Sequence, residues 1–294
     1  MAPFLQVKNI SKEFAGVKAL TDISIDFNKG EVHALLGENG AGKSTLIKII
    51  SGVYAPTSGS VLLDGKACRF HNPRQALDRG IVVIHQELSI ANDLTVAENI
   101  YLGCEPRIQN GFFLDRKKME ADAQAILDFM EVDIRSTAVA RHLTAAQQQM
   151  VEIAKVISKN AQVVIMDEPT SSLSEHEINA LFKQIRILQK NNIAIIYITH
   201  RLKELFEIAD RVTVLRDGCK VNTFSMKDVD EKTLVTSMVG REMKDYYNRQ
   251  KHTPGKELLR IEHLSRDGEF SDISFAVHAG EILGISGLIG AAKG

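Results

Sequence analysis

The stretch Gly37-Glu38-Asn39-Gly40-Ala41-Gly42-Lys43-Ser44-Thr45 constrains this chain more than any other. An apolar run, Val32-His33-Ala34-Leu35-Leu36, leads into it, and Thr45-Leu46-Ile47-Lys48-Ile49-Ile50 opens a helical pattern behind it. A glycine-rich loop between a buried strand and a helix is the context in which such a pattern binds phosphate. Gly37, Gly40 and Gly42 let the backbone take positive φ and approach an anion with no Cβ in the way. Consecutive N–H groups then point inward, and the helix adds its positive N-terminal end. Lys43 would reach the β- and γ-phosphates of a nucleoside triphosphate, and the Ser44 hydroxyl would take a Mg2+ position. Glu38, Asn39, Ala41 and Thr45 complete the cradle. Taken alone, the loop also reads as a glycine-rich turn that binds nothing.

The flanking pattern is that of an α/β chain. Val163-Val164-Ile165-Met166 and Ile193-Ala194-Ile195-Ile196-Tyr197-Ile198 are almost wholly apolar, which suits parallel strands covered on both faces. A helix around 175–190 separates them, as a right-handed βαβ crossover requires. Residues 4–9 alternate apolar and polar, predicting a half-buried edge strand. Further strands are expected at Ile23–Phe27, at Ser60–Leu63 before an Asp64-Gly65 turn, and at Ile81–His85. From Thr95 to about Ser158 the pattern turns largely helical. The expected architecture is an α/β nucleotide-binding core carrying a helical insertion at about 88–158.

Composition excludes several classes. A length of 294 residues implies one full domain plus extra. A formal net charge of −1 gives no electrostatic case for nucleic acid, and Arg116-Lys117-Lys118 reads as a solvated helix face. Cys68, Cys104 and Cys219 are far apart and form no metal-spaced pair, which fits a reducing cytosol. There is no signal-peptide apolar region, and no apolar run approaches the ~20 residues needed to span a bilayer. Any membrane role is therefore expected to come through a partner.

Four further constellations narrow the chemistry. Asp167 and Glu168 close an apolar strand, where one carboxylate can hold Mg2+ and the other polarise an attacking water. His200 follows Thr199 at the end of the next strand, within reach of a γ-phosphate. Gln86 sits at a third strand end and could contact both Mg2+ and water. Leu143-Thr144-Ala145-Ala146-Gln147 opens a helix with Thr144 as N-cap. That helix start is either a plain capped terminus or a phosphate contact for a nucleotide held on another domain.

Together these residues resemble the ATP-binding cassette (ABC) family of P-loop NTPases, in the family's order. Phe14 matches the aromatic loop, Gly37–Thr45 the Walker A, Gln86 the Q-loop and Leu143–Gln147 the signature. Val163–Asp167 matches the Walker B, Glu168 the catalytic glutamate, Ser171–Ser174 the D-loop and His200 the switch histidine. The resemblance implies ATP and Mg2+ as cofactors. It makes Glu168, His200 and Gln86 catalytic, with Ser44, Gln86 and Asp167 on the metal. Phe14 and the Walker A loop would hold the near nucleotide; Thr144, Ala146 and Gln147 would contact one bound by an opposing cassette. The implied fold has an antiparallel β edge and a helical subdomain beside the core. A narrower likeness is to the ribose, galactose and arabinose type of importer. It rests on Gln86-Glu87-Leu88-Ser89, Leu94–Gly103, Gln149–Lys155 and Met238-Val239-Gly240-Arg241-Glu242. In that family one cytosolic polypeptide carries two cassettes. It works at the inner face of the membrane with permease subunits and a separate sugar-binding protein, energising sugar uptake. Two departures stand out: Ala145-Ala146 where the signature commonly carries glycine, and Ser174 where many D-loops carry Asp.

A second copy of the pattern begins late in the chain. Asp22-Ile23-Ser24 returns as Asp272-Ile273-Ser274, a separation of 250 (272 − 22 = 250). The same separation carries Gly30-Glu31 onto Gly280-Glu281, Gly37 onto Gly287, Gly40 onto Gly290 and Lys43 onto Lys293. Residues 1–240 are thus expected to form a first cassette and 241–256 a polar linker. Residues 257–294 would be the start of a second cassette in which the chain stops. Two other classes share these features: a tandem-cassette ATPase acting on ribosomes or DNA, and an ATP-binding regulatory fragment. The first would carry a longer, basic connection and a glycine-rich signature, and this chain has neither.

Overall fold

Val32–Leu36, Val163–Asp167 and Ala194–Ile198 bury almost every residue. Strands with no polar face need cover on both sides, which a parallel sheet between two layers provides. The computed structural model describes residues 3–85, 89–108, 113–171, 173–240, 255–266 and 268–286, and it contains that sheet. The chain forms two units, Met1–Arg241 and Glu242–Gly294.

The first unit opens with β1 (Leu5–Phe14), β2 (Val17–Phe27) and β3 (Val32–Leu36), then α1 (Lys43–Ile50). Next come β4 (Ser58–Leu63), β5 (Lys66–Cys68), α2 (Pro73–Asp78) and β6 (Ile81–Ile84). The inserted segment holds α3 (Val96–Ile100), a short hairpin of β7 (Arg107–Ile108) and β8 (Phe113–Leu114), α4 (Arg116–Phe129) and α5 (Ala145–Ser158). The hairpin interrupts a stretch the sequence presents as largely helical. Then follow β9 (Val163–Asp167), α6 (Glu175–Lys190), β10 (Ala194–Ile198), α7 (Leu202–Ile208), β11 (Arg211–Arg216), β12 (Cys219–Ser225) and α8 (Glu231–Val239).

Six strands form the central sheet in the order β12-β11-β3-β10-β9-β6, parallel except for the β11–β12 pair. Its register positions the site. Ile198 lies opposite Leu35 on one side and Asp167 on the other, so β3, β9 and β10 end level. The loops after all three therefore open at one edge of the sheet, where α/β proteins hold their ligands.

A second, antiparallel sheet runs β2-β1-β4-β5. Here β1 is an interior strand, bonded to β2 and β4, and not the edge expected from its alternation. Alternation reports that one face is buried, and says nothing about how many neighbours the backbone has. Between the sheets lies α1, with Leu46, Ile47, Ile49 and Ile50 packed on Leu5, Val7, Ile25 and Phe27 from one sheet and Leu35 and Ile165 from the other. Each such fully buried side chain contributes about 1.5–3 kcal/mol. On the opposite face α3, α4, α5 and α6 pack with Val164, Met166, Ile195 and Tyr197 into another core. Among the described residues, no helix is long and apolar enough to cross a membrane.

The second unit contains the hairpin β13 (Glu257–Arg266) and β14 (Phe270–His278). It repeats the β1–β2 hairpin in detail. Asn9 and Asp22 have φ of 49°, and His263 and Asp272 have φ of 50° and 56°. Asn9 N donates to Ser24 Oγ at 2.9 Å, as His263 N does to Ser274 Oγ. Asp22 N donates to Ser11 Oγ at 3.0 Å, and Asp272 N to Ser265 Oγ at 2.8 Å. The first strands are thus 254 apart (263 − 9 = 254) and the second strands 250 apart, so the connecting turn is four residues shorter in the second copy. Most of the expected linker (residues 241–254) and the second glycine-rich loop (287–294) lie outside the described residues.

Candidate functional site

The loop after β3 owes its path to close approaches that only glycine permits. A Cβ on Gly37 would stand 2.4 Å from the Leu215 carbonyl oxygen. Gly42 caps α1 at φ 100°, and a Cβ there would meet Leu20 Cδ2 at 2.6 Å and Ala19 O at 2.9 Å. Lys43 turns back along the loop, its ammonium donating to Gly37 O at 2.7 Å and Glu38 O at 3.0 Å. Burial lowers the pKa of that ammonium, while the charges of Glu168 and Asp167 oppose the shift. The loop, from Asn39 to Thr45, then faces Asp167 and Glu168 across a cleft of about 290 Å3, to which Ala19 adds one wall.

Asp167 ends β9 inside this cleft. Its carboxyl pKa is raised, first by burial and then by the charge of Glu168 beside it, with Lys43 pulling the other way. Two carboxylates against one ammonium leave negative charge only partly compensated, which suits a divalent cation. The oxygen donors of Ser44 and Asp167 fit Mg2+, which takes one or two protein oxygens and completes its shell with water and phosphate. Among the described residues no group of three His, Cys, Asp or Glu side chains could hold a metal by itself.

Glu168 has φ 46°, a left-handed conformation costing a non-glycine residue about 1–2 kcal/mol. Strain of this kind concentrates at functional positions. Its backbone N donates to Ile198 O at 3.0 Å, which locks the turn after β9 to the end of β10. Across that junction His200 Nδ1 lies 3.1 Å from Glu168 Oε1. The residues expected at two strand ends therefore meet.

Among the described residues, Phe14, Thr144, Ala146 and Gln147 do not line the cleft. Phe14, at the end of β1, packs edge-on against Tyr54 at 5.2 Å between ring centroids, with the Lys12 ammonium 4.9 Å from its ring. Gln86 lies outside the described residues. Thr144 is the N-cap of α5, where Thr144 Oγ1 accepts from Gln147 N at 3.2 Å and Gln147 Oε1 accepts from Thr144 N at 3.0 Å. Neither this capping box nor Ala146 lines the cleft. Ser174 N and Oγ both donate to Glu177 Oε2, at 2.8 and 2.7 Å, so this hydroxyl is engaged within its own helix.

Some neighbours of the site carry no local sequence signal. Ala19 reaches the cleft only because β2 passes the loop. Lys155 on α5, buried and paired with Glu152 at 2.9 Å, donates to Ser89 O at 2.8 Å, tying α5 to the chain beyond Gln86. Glu204 looks from its position like an ordinary acidic residue in a helix's first turn, yet it is buried among hydroxyls.

A parallel sheet whose strand ends gather a glycine-rich loop, a lysine and two carboxylates defines a P-loop nucleotide-binding cassette. The sequence profile described as ABC transporter matches residues 20–171, and the chain belongs to that family. A protein of Agrobacterium fabrum named as a ribose/galactose/methyl galactoside import ATP-binding protein is 51% identical over 290 residues, 98% of this chain and 57% of that protein. The arabinose import ATP-binding protein AraG of Escherichia coli is 47% identical over 292 residues, 99% of this chain and 58% of its own. The chain thus spans little more than half the length of these relatives. Among solved structures, the ADP conformation of an ABC transporter cassette superposes with a TM-score of 0.72 at 27% identity, covering 82% of this chain and 100% of that one. A nucleotide-free cassette gives 0.70 at 26% identity, covering 81% and 96%.

Proposed function

We propose that this chain carries the first of two ATP-binding cassettes in a polypeptide that energises monosaccharide import. The observation that carries this reading is the convergence of Lys43, Ser44, Asp167, Glu168 and His200 on one sheet edge. The sugar class comes from the names of the relatives, which are import ATP-binding proteins for ribose, galactose or arabinose.

ATP, when bound with Mg2+, supplies the transferable phosphoryl group and the cation that shields its charge. The loop N–H groups and Lys43 would hold the phosphates, and Ser44, Asp167 and Gln86 would hold the cation. Phe14 would contact the base. Glu168 orients water and accepts its proton, and His200 steadies Glu168 and faces the γ-phosphate. Thr144, Ala146 and Gln147 serve a nucleotide on the opposing cassette. One cassette therefore offers two half-sites, so the isolated chain binds Mg-ATP and turns it over slowly. Robust turnover by the dilute chain without partners would contradict this.

Residues 1–240 form the first cassette in this reading, with its helical subdomain at about 88–158. Residues 241–256 are the linker, and 257–294 begin the second cassette; the recurrence of the β1–β2 hydrogen bonds in β13–β14 supports that division. The partners are the second cassette, membrane permease subunits and, indirectly, an external sugar-binding protein. The protein acts in the cytosol at the inner face of the membrane, and nucleic acid is not a partner. A groove of about 650 Å3 lined by Arg74, Leu77, Tyr101, Leu102 and Ser158 lies between the core and the helical subdomain. It is larger than the nucleotide cleft, its rim carries Arg74, Arg79 and Lys159 beside Asp78, and its apolar and polar lining suits a permease helix.

The test is uptake of labelled ribose, galactose and arabinose by proteoliposomes holding the full-length protein and its permease. Uptake of one sugar is expected to require ATP. Glu168→Gln should keep ATP binding and abolish both turnover and uptake; residual wild-type rates would remove Glu168 as the base. ATPase activity raised by ribosomes or DNA, and not by permease and sugar, would overturn the importer reading.

A further inference from the structure

Glu204, on α7, is a carboxylate with 5% of its surface exposed. Among the described residues, its donors come from β10 and from the turns after β9 and β10, which carry Glu168 and His200. Thr170 Oγ1 donates to Oε1 at 2.8 Å, while Tyr197 Oη and Thr199 Oγ1 both donate to Oε2 at 2.9 Å. The Arg201 guanidinium adds a contact of 3.5 Å to Oε1. Thr170, Tyr197 and Thr199 are themselves buried. Burial, and then the charge of Glu204, push the Tyr197 hydroxyl far above its ordinary pKa, so it stays protonated and donates.

A buried carboxylate is costly unless its lone pairs are satisfied, and an apolar side chain of similar size often stabilises as well or better. Packing alone therefore does not account for a charge here. Its connections do. Thr170 stands two residues beyond Glu168, and Thr199 and Arg201 flank His200. One carboxylate thus bridges the turn after β9 to the turn after β10, without lining the nucleotide cleft.

We infer that Glu204 is a positioning residue for hydrolysis, clamping these two turns together and so setting the Glu168–His200 contact. The inference rests on the reading of Glu168 and His200 as the hydrolytic pair. It predicts a loss of geometry at the pair with the phosphate loop left intact. Displacements of about 1 Å at reacting groups can cost on the order of a hundredfold in rate.

The test uses this chain with its histidine ring nitrogens labelled with 15N, and His200→Gln to assign the resonance. Glu168→Gln is expected to move the His200 ring signal in the otherwise wild-type chain. In the Glu204→Gln background the same substitution should leave that signal in place, with affinity for a fluorescent ATP analogue kept within about twofold. In the assembled transporter Glu204→Gln should lower kcat roughly a hundredfold with KM for ATP kept within about twofold. Equal displacement of the His200 signal in both backgrounds, or a raised KM with kcat kept, overturns the proposal. No displacement even in the wild-type background means the pair itself is misread, and the proposal falls with it. Should Glu204→Gln fail to fold, Thr199→Val and Thr170→Val each remove one hydroxyl; an undiminished displacement in both would equally overturn it.

Discussion

His33 gives the fold an acid sensitivity that can be worked out in advance. It is the second residue of β3, the strand that leads into the Gly37–Thr45 loop, and is almost completely buried. Nε2 lies 2.7 Å from Thr213 Oγ1, and the ring packs against Phe27 at 4.8 Å. Glu31 is 3.6 Å from Nδ1, but its carboxylate is already engaged by Arg211. Burial, aided by the charges of Arg211 and Lys220, lowers the His33 pKa from 6.5 to about 3. The folded chain therefore keeps this ring neutral between about pH 3 and pH 6.5, where the unfolded chain binds a proton. Stability is full above pH 6.5 and falls as pH drops through that window. Each pH unit costs about 1.4 kcal/mol, so at pH 5 the loss is about 2 kcal/mol. Urea unfolding of the wild-type chain and of His33→Gln, from pH 5 to 7, measures it. The wild type should show the steeper dependence, by about 1.2 kcal/mol per unit near pH 5.5, because glutamine has no proton to bind. Parallel slopes would refute the reasoning.

Two further substitutions test local contacts. Gly42→Ala combines a left-handed φ, costing about 1–2 kcal/mol, with a clash against Leu20 and Ala19. It should lower thermal stability and abolish binding of a fluorescent ATP analogue; wild-type affinity would show that the loop does not need this conformation. Thr144→Ala removes a hydroxyl that caps α5 and should cost about 1 kcal/mol in urea unfolding. It should leave nucleotide affinity in the isolated chain unchanged, since Thr144 does not line the cleft; a weakened affinity would place it in the near site.

The parts of the site legible in the sequence are those whose chemistry is local. Gly37 to Thr45 could be read because glycine spacing, an apolar strand and a helix start lie side by side. Asp167, Glu168 and His200 could be read because runs of buried residues mark where strands end. The pairing of Glu168 with His200 could not, because it depends on β9 and β10 being neighbours in register. The interior place of β1 is hidden from the sequence for a related reason: burial of one face leaves the number of hydrogen-bonded neighbours open. Glu204 and Lys155 were invisible as buried polar groups. Their partners lie as far as 34 residues from Glu204 and 66 from Lys155, and charged residues on helices are ordinarily solvated.

The central claim is that the Lys43 cleft holds the phosphates of ATP, and calorimetric titration of the 294-residue chain with Mg-ATP tests it most directly. Wild-type protein should bind one nucleotide, and Lys43→Met should weaken binding roughly 10- to 100-fold through loss of a charged hydrogen-bond donor. Equal affinity in the two proteins, or no binding by the wild type, would contradict the account.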